Sequence, residues 1–226
     1  MKRLLLLLTA SLCATVSFSQ LLSWTPLFPT ENDAAQTFVV TMDATKGNQG
    51  LLNYSPADVY VHIGVITSKS TSSSDWKYVK FTWATTPAAA NASSIGNNKW
   101  TYTIAGSLRN FFGITDATES IQKIAILFRS GDGNKKQTNG DGSDMYIPVY
   151  TSALAVHLSQ PLTEPKYVPT PEALTLSLGT SFSIAASANK PSAMKLYHNG
   201  NVVASPAGNV TSLTGSSTVT VAGNQQ

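Results

Sequence analysis

Between Thr37 and Val149, large apolar residues return at every second position in short runs separated by Gly, Asn, Ser and Pro. Only a pleated strand turns that period into one buried face. Phe38, Val40 and Met42 alternate within Thr37 to Asp43, and Val59, Val61, Ile63 and Val65 do so from Val59 to Ile66. Val79, Phe81 and Trp83 form a third such stripe, and Trp100 to Ile104, Ile124 to Phe128 and Met145 to Val149 repeat it. Six short strands with turn residues between them predict an all-β chain, with an antiparallel, immunoglobulin-like β-sandwich over 20–155. Ser107 to Ile114 has room for one helical turn, which Gly113 can stop by entering the left-handed region.

Residues 156–171 read as a linker, because Gln160-Pro161 to Pro171 holds four prolines and proline enters a sheet poorly. From 172 to 226 a second, smaller β-sandwich is expected. Leu174, Leu176 and Leu178 alternate, as do Phe182, Ile184 and Ala186, and Asn199-Gly200 is the strongest short hairpin signal available. A last strand at Ser217 to Ala222 would leave an unpaired edge, so this module reads as incomplete and the chain as the N-terminal portion of a longer polypeptide.

Met1-Lys2-Arg3, the apolar run from Leu4 to Val16 and the small residues before Gln20 have the form of an export signal over 1–19. That run is too short for a membrane span, and no later stretch approaches the roughly 18 apolar residues a span requires. A secreted or cell-surface protein is the expectation. Cys13, the only cysteine, lies inside the signal, so the core must hold the fold without disulfides. Loss of Lys2 and Arg3 lowers the formal charge from +3 to +1, with 13 basic against 12 acidic residues, and no basic cluster remains to grip nucleic acid.

Catalytic signatures are missing from the sequence. His62, His157 and His198 lie on three separate segments without metal-ligand spacing, and no Gly-x-Ser-x-Gly elbow occurs. Asp132, Asp141 and Asp144 fall in a Gly-rich loop that reads as a solvated hairpin tip. Calcium is the one ion such carboxylates would suit, but Lys135 and Lys136 interrupt them. No cofactor is expected.

What remains is aromatic. If Val59 to Ile66 pairs as a hairpin with Asp75 to Phe81, then Tyr60, His62, Trp76 and Tyr78 share the outer face, opposite the apolar stripes. Indole and phenol rings stack on the apolar faces of sugars while an imidazole and hydroxyls orient them. The Ser/Thr-rich run 68–74 implies that this end is wet. The competing expectation is a structural spacer or cell-surface interaction module whose aromatic face packs on a neighbouring strand or module. Trp24, Trp83 and Trp100 are expected in the core.

The run Val59-Tyr60-Val61-His62-Ile63-Gly64, then Trp76, then Gly96 to Ile104, resembles starch-binding carbohydrate-binding modules of the kind grouped as families 25 and 26. More specifically, Trp24 to Tyr150 is similar to the N-terminal module of secreted α-amylase family glycoside hydrolases from Bacteroidetes. The likeness includes Leu108-Arg109-Asn110-Phe111-Phe112-Gly113-Ile114, Ile124 to Arg129 and Asp144 to Tyr150. The resemblance implies a non-catalytic module that holds an α-glucan through His62 and Trp76, within an enzyme whose catalytic domain follows beyond this sequence. Tyr60 and Tyr78 join that site through the shared-face expectation alone.

Overall fold

A computed structural model describes residues 20–223. The expected export signal, with Cys13, lies outside the described residues. Residues from Leu21 to Val149 fold around one core. One sheet joins β1 (Leu22–Thr25), β2 (Thr37–Asp43), β5 (Lys99–Ala105) and β4 (Ser93–Gly96), in that order. The other joins β3 (Val59–Thr67) to β6 (Ile121–Ser130), with β7 (Lys136–Gln137) and β8 (Met145–Pro148) both on the far side of β6. All these ladders are antiparallel.

The two sheets bury their alternating stripes against each other, so the fold is an all-β sandwich. Phe38, Val40, Met42, Trp100 and Ile104 meet Val61, Ile63, Ile126, Phe128 and Ile147 in a single cluster. Each large side chain withdrawn from water there contributes about 1.5–3 kcal/mol. Trp100 also satisfies its indole, donating Nε1–H to the Pro56 carbonyl at 3.0 Å. The expected helical turn is α1 (Leu108–Phe112), which caps the core with Leu108 and Phe112. Ser107 Oγ accepts from the Asn110 amide at 3.2 Å, and Gly113 ends the turn at φ 75°.

A second unit carries a three-stranded sheet of β9 (Val156–Gln160), β12 (Ser181–Ser192) and β15 (Val210–Thr218), with β12 central. Beside it stands the hairpin of β13 (Leu196–His198) and β14 (Asn201–Ala204). Its turn is Asn199-Gly200, at φ 48° and 77°, as the dipeptide predicts. The core is small, built on Ile184, Ala186, Ala188, Met194 and Leu196. A cavity of about 690 Å³ opens beside it between Leu158, Leu174, Leu176, Phe182 and His198.

Three expectations need correction. Residues 156–160 are a sheet strand, not linker: the prolines begin only at Pro161, so the amides before it are free to pair with β12. Thr163–Glu164 and Thr170–Pro171 form a further two-stranded ladder, β10 and β11. Leu174, Leu176 and Leu178 join no strand, and Leu178 is exposed. The last described strand is Val210–Thr218 and not 217–222, because this Ser/Thr-rich stretch has too few apolar residues to mark a register.

Candidate functional site

The outer face of the β3–β6–β8 sheet is assembled by strand parity. Tyr60, His62, Gly64 and Ile66 leave β3 on that side, opposite Arg129, Leu127, Ala125 and Lys123 of β6, and Tyr146 of β8 lies opposite Ala125. The β3 ladder partner is therefore β6, and the expected hairpin with Asp75 to Phe81 does not form as a regular pair. That segment runs beside β3 through one isolated bridge, Val65 to Lys77, with amide bonds of 3.0 and 2.8 Å, and through the Lys80 amide to the Ile63 carbonyl at 2.9 Å. Tyr78, at φ 51°, breaks the alternation between those contacts.

The break redistributes the side chains. Phe81 alone of the third stripe turns inward; Val79 is 42% and Trp83 37% exposed. The segment instead climbs over the outer face, where Gly64 makes room: a Cβ there would lie 3.0 Å from the Lys77 carbonyl oxygen and 3.1 Å from Val79 Cγ2. Trp24 lies at the margin of the core, half-buried against it and edge-on to His157 at 5.6 Å. Trp100 is core, as expected.

Three rings meet on this face. His62 stacks on Trp76 with centroids 5.6 Å apart and planes 24° apart, and Trp83 meets His62 edge-on at 5.0 Å. Trp76 donates its indole N–H to the Tyr146 hydroxyl at 3.3 Å, and that hydroxyl donates to the Ser73 carbonyl at 2.7 Å. Tyr60 lies under the Arg129 guanidinium at 5.6 Å, and Trp83 faces the same group at 5.5 Å. Arg129 is fully buried. It donates to the carbonyls of Ser130 at 2.8 Å, Gly131 at 3.2 Å and Thr85, so one side chain ties the far end of the 76–85 segment to β6 and fixes two rings.

Tyr78 stands elsewhere. Its hydroxyl donates to Glu119 Oε2 at 2.8 Å, and Thr67 donates to Oε1 of the same carboxylate at 2.5 Å. These bonds, led by the Thr67 hydroxyl, hold Glu119 below its ordinary range, and Glu119 raises the Tyr78 hydroxyl above its own. Of the expected set, Tyr60, His62 and Trp76 come together and Tyr78 does not, while Trp83 joins them. An unbroken strand puts residues seven apart on opposite faces. The single reversal at Tyr78 brings Trp76 and Trp83 to one side, and no local signal announces it.

Burial pushes the His62 imidazole below its ordinary value and Arg129 adds to this; the Phe81 backbone and Asp144 oppose it. The ring is thus neutral at physiological pH, a polar edge between two indoles. The aspartates of the Gly-rich loop do not converge. Asp132 accepts from Ser130 at 2.5 Å and from Asn134 at 2.8 Å, whereas Asp141 accepts from Ser143 at 2.6 Å and pairs with Lys166 at 3.1 Å. Among the described residues no group of three or more His, Cys, Asp or Glu side chains is placed to hold a metal ion. The loop is also less solvated than a hairpin tip, since β7 lies within it and Gln137, Thr138 and Asn139 are buried.

An all-β sandwich bearing a partly open aromatic face is the class that fold and site define. No protein-family model matches the chain, and no curated protein matches it.

Proposed function

We propose that this face binds a neutral carbohydrate, an α-glucan by the resemblance to starch-binding modules, and that the chain acts by holding that polymer without cleaving it. The observation that supports this reading is the His62–Trp76–Trp83 group, in which a neutral imidazole lies between two indoles that remain partly open to solvent. Aromatic faces stack on the C–H surfaces of sugar rings, and a neutral polar group beside them orients hydroxyls. Aromatic pairs contribute about 0.5–1.5 kcal/mol each beyond area burial. Two indoles would give weak, reversible binding, useful where it keeps a polymer close to an enzyme on the same polypeptide.

One observation favours the competing structural role: Arg129, Leu127, Ala125 and Tyr146 are buried beneath the 76–85 segment, so much of the sheet face is already covered. Affinity electrophoresis in amylopectin separates the two. Retardation of the wild-type chain, lost in Trp76→Ala and weakened several-fold in Trp83→Ala with little change in melting temperature, is the expected result. Equal mobility of wild type and both variants with and without glucan, together with a large loss of melting temperature in the variants, assigns the rings to packing.

A further inference from the structure

Three buried side-chain atoms of the described chain have no hydrogen-bond partner within it: His62 Nδ1, Arg129 Nε and Asn139 Oδ1. His62 and Arg129 leave neighbouring strands on the outer face, across from Leu127 and Tyr60, and Asn139 Nδ2 donates to the Asp144 carbonyl at 2.7 Å. Asp144 immediately precedes β8, two positions before Tyr146, whose hydroxyl takes the Trp76 indole bond. Asp144 and His62 stand close enough for each charge to act on the other.

The Asp144 carboxylate is half-buried, yet among the described residues it accepts no hydrogen bond and forms no ion pair within 4.0 Å. Asp132 and Asp141, in the same loop, are fully engaged with their own Ser, Asn and Lys partners. A partly desolvated carboxylate without donors is costly, and hydroxyl donors remove that cost. Burial accordingly raises Asp144 above its ordinary range, with Lys136 and His62 opposing.

We infer that Asp144 is a ligand-contacting residue of this face, its carboxylate accepting from adjacent hydroxyls of a neutral sugar ring that stacks beside His62 and Trp76. The inference rests on the carbohydrate reading and adds to it the polar half of the site. Vicinal ring hydroxyls are the donors that suit a two-oxygen acceptor, whereas a uronic acid would bring its own carboxylate against Asp144. The site therefore prefers uncharged glycans.

Calorimetric titration of the whole chain with maltoheptaose tests this, with Asp144→Asn, Asp144→Ser and Trp76→Ala as variants and a thermal melt of each. Hydrogen bonds to a charged acceptor predict that Asp144→Asn weakens binding by about tenfold or more. The melting temperature should hold, because the carboxylate bonds no other described residue. Asp144→Ser, which lacks the amide as well, should weaken binding at least as much. Wild-type affinity in either folded Asp144 variant, alongside lost affinity in Trp76→Ala, overturns the role of Asp144 and leaves the aromatic reading standing. No binding by the wild type, or full binding by Trp76→Ala, removes the aromatic reading and this inference with it.

Discussion

At the scale of the residue, His62 is held by rings more than by hydrogen bonds. It stacks on Trp76, meets Trp83 edge-on and leaves Nδ1 without a partner in the described chain. Its folded pKa lies below the unfolded value of about 6.5, so on acidification the unfolded chain takes up this proton first. The stability His62 contributes is complete above about pH 6.5 and is lost as the pH falls toward its folded pKa. His157, also depressed by burial, acts in the same sense, while the raised Asp144 acts in the opposite one. The clean measurement is thus a difference: between about pH 7 and 5 the melting temperature of the wild type should fall more steeply than that of His62→Gln. Parallel profiles would show that His62 does not titrate against folding. Tyr60, His62 and Trp76 were legible because alternation along β3 fixes a face and an Asp-Trp-Lys-Tyr run beside it promises rings. Trp83 was not, since its place depends on the backbone reversal at Tyr78.

At the scale of the element, the 76–85 segment shows where strand reading fails. Its apolar alternation is genuine, and a regular strand would put Val79, Phe81 and Trp83 in the core. A left-handed conformation costs a non-glycine residue about 1–2 kcal/mol, and at Tyr78 it is offset by a hydroxyl bond to Glu119, forty-one positions away. Such a long-range partner leaves no trace in the local pattern. The strands β2, β5, β6 and β8 were legible to within a few residues because each buries a face of alternating large apolar residues in the core, which fixes its register. The consequence for the segment is testable. Glu119→Ala removes the acceptor of Tyr78, so the Lys77 and Lys80 amides, now bonded to β3 at 2.8 and 2.9 Å, should exchange with solvent about tenfold faster or more. The amides of the β3–β6 ladder should keep their protection. Unchanged exchange at Lys77 and Lys80 would mean that the contacts over Gly64 hold the segment without Tyr78.

At the scale of the whole molecule, the proline stretch is a strap on the first sandwich. Tyr146 donates its amide to the Pro165 carbonyl at 2.7 Å, Lys166 pairs with Asp141 at 3.1 Å, and Tyr167 sets its ring edge-on to Tyr146 at 5.4 Å under the Lys123 ammonium. Tyr146 is the residue that takes the Trp76 indole bond, so the strap packs beside the aromatic rings on the same side of the sheet. Proline restricts the unfolded chain and so lowers the cost of fixing such a strap. That is why a composition typical of spacers serves here as packing. The two units are consequently interlocked: β9 belongs to the second sheet, while the residues after it return to the first. Tyr167→Ala should therefore destabilise the first sandwich, by about 1–3 kcal/mol for a half-buried aromatic, as measured by urea denaturation followed through tryptophan fluorescence. All four tryptophans lie at or before Trp100, in that sandwich, so the probe reports on it directly. A variant with wild-type denaturation would show that Tyr167 merely rests on Tyr146, and the strap would then be a spacer after all.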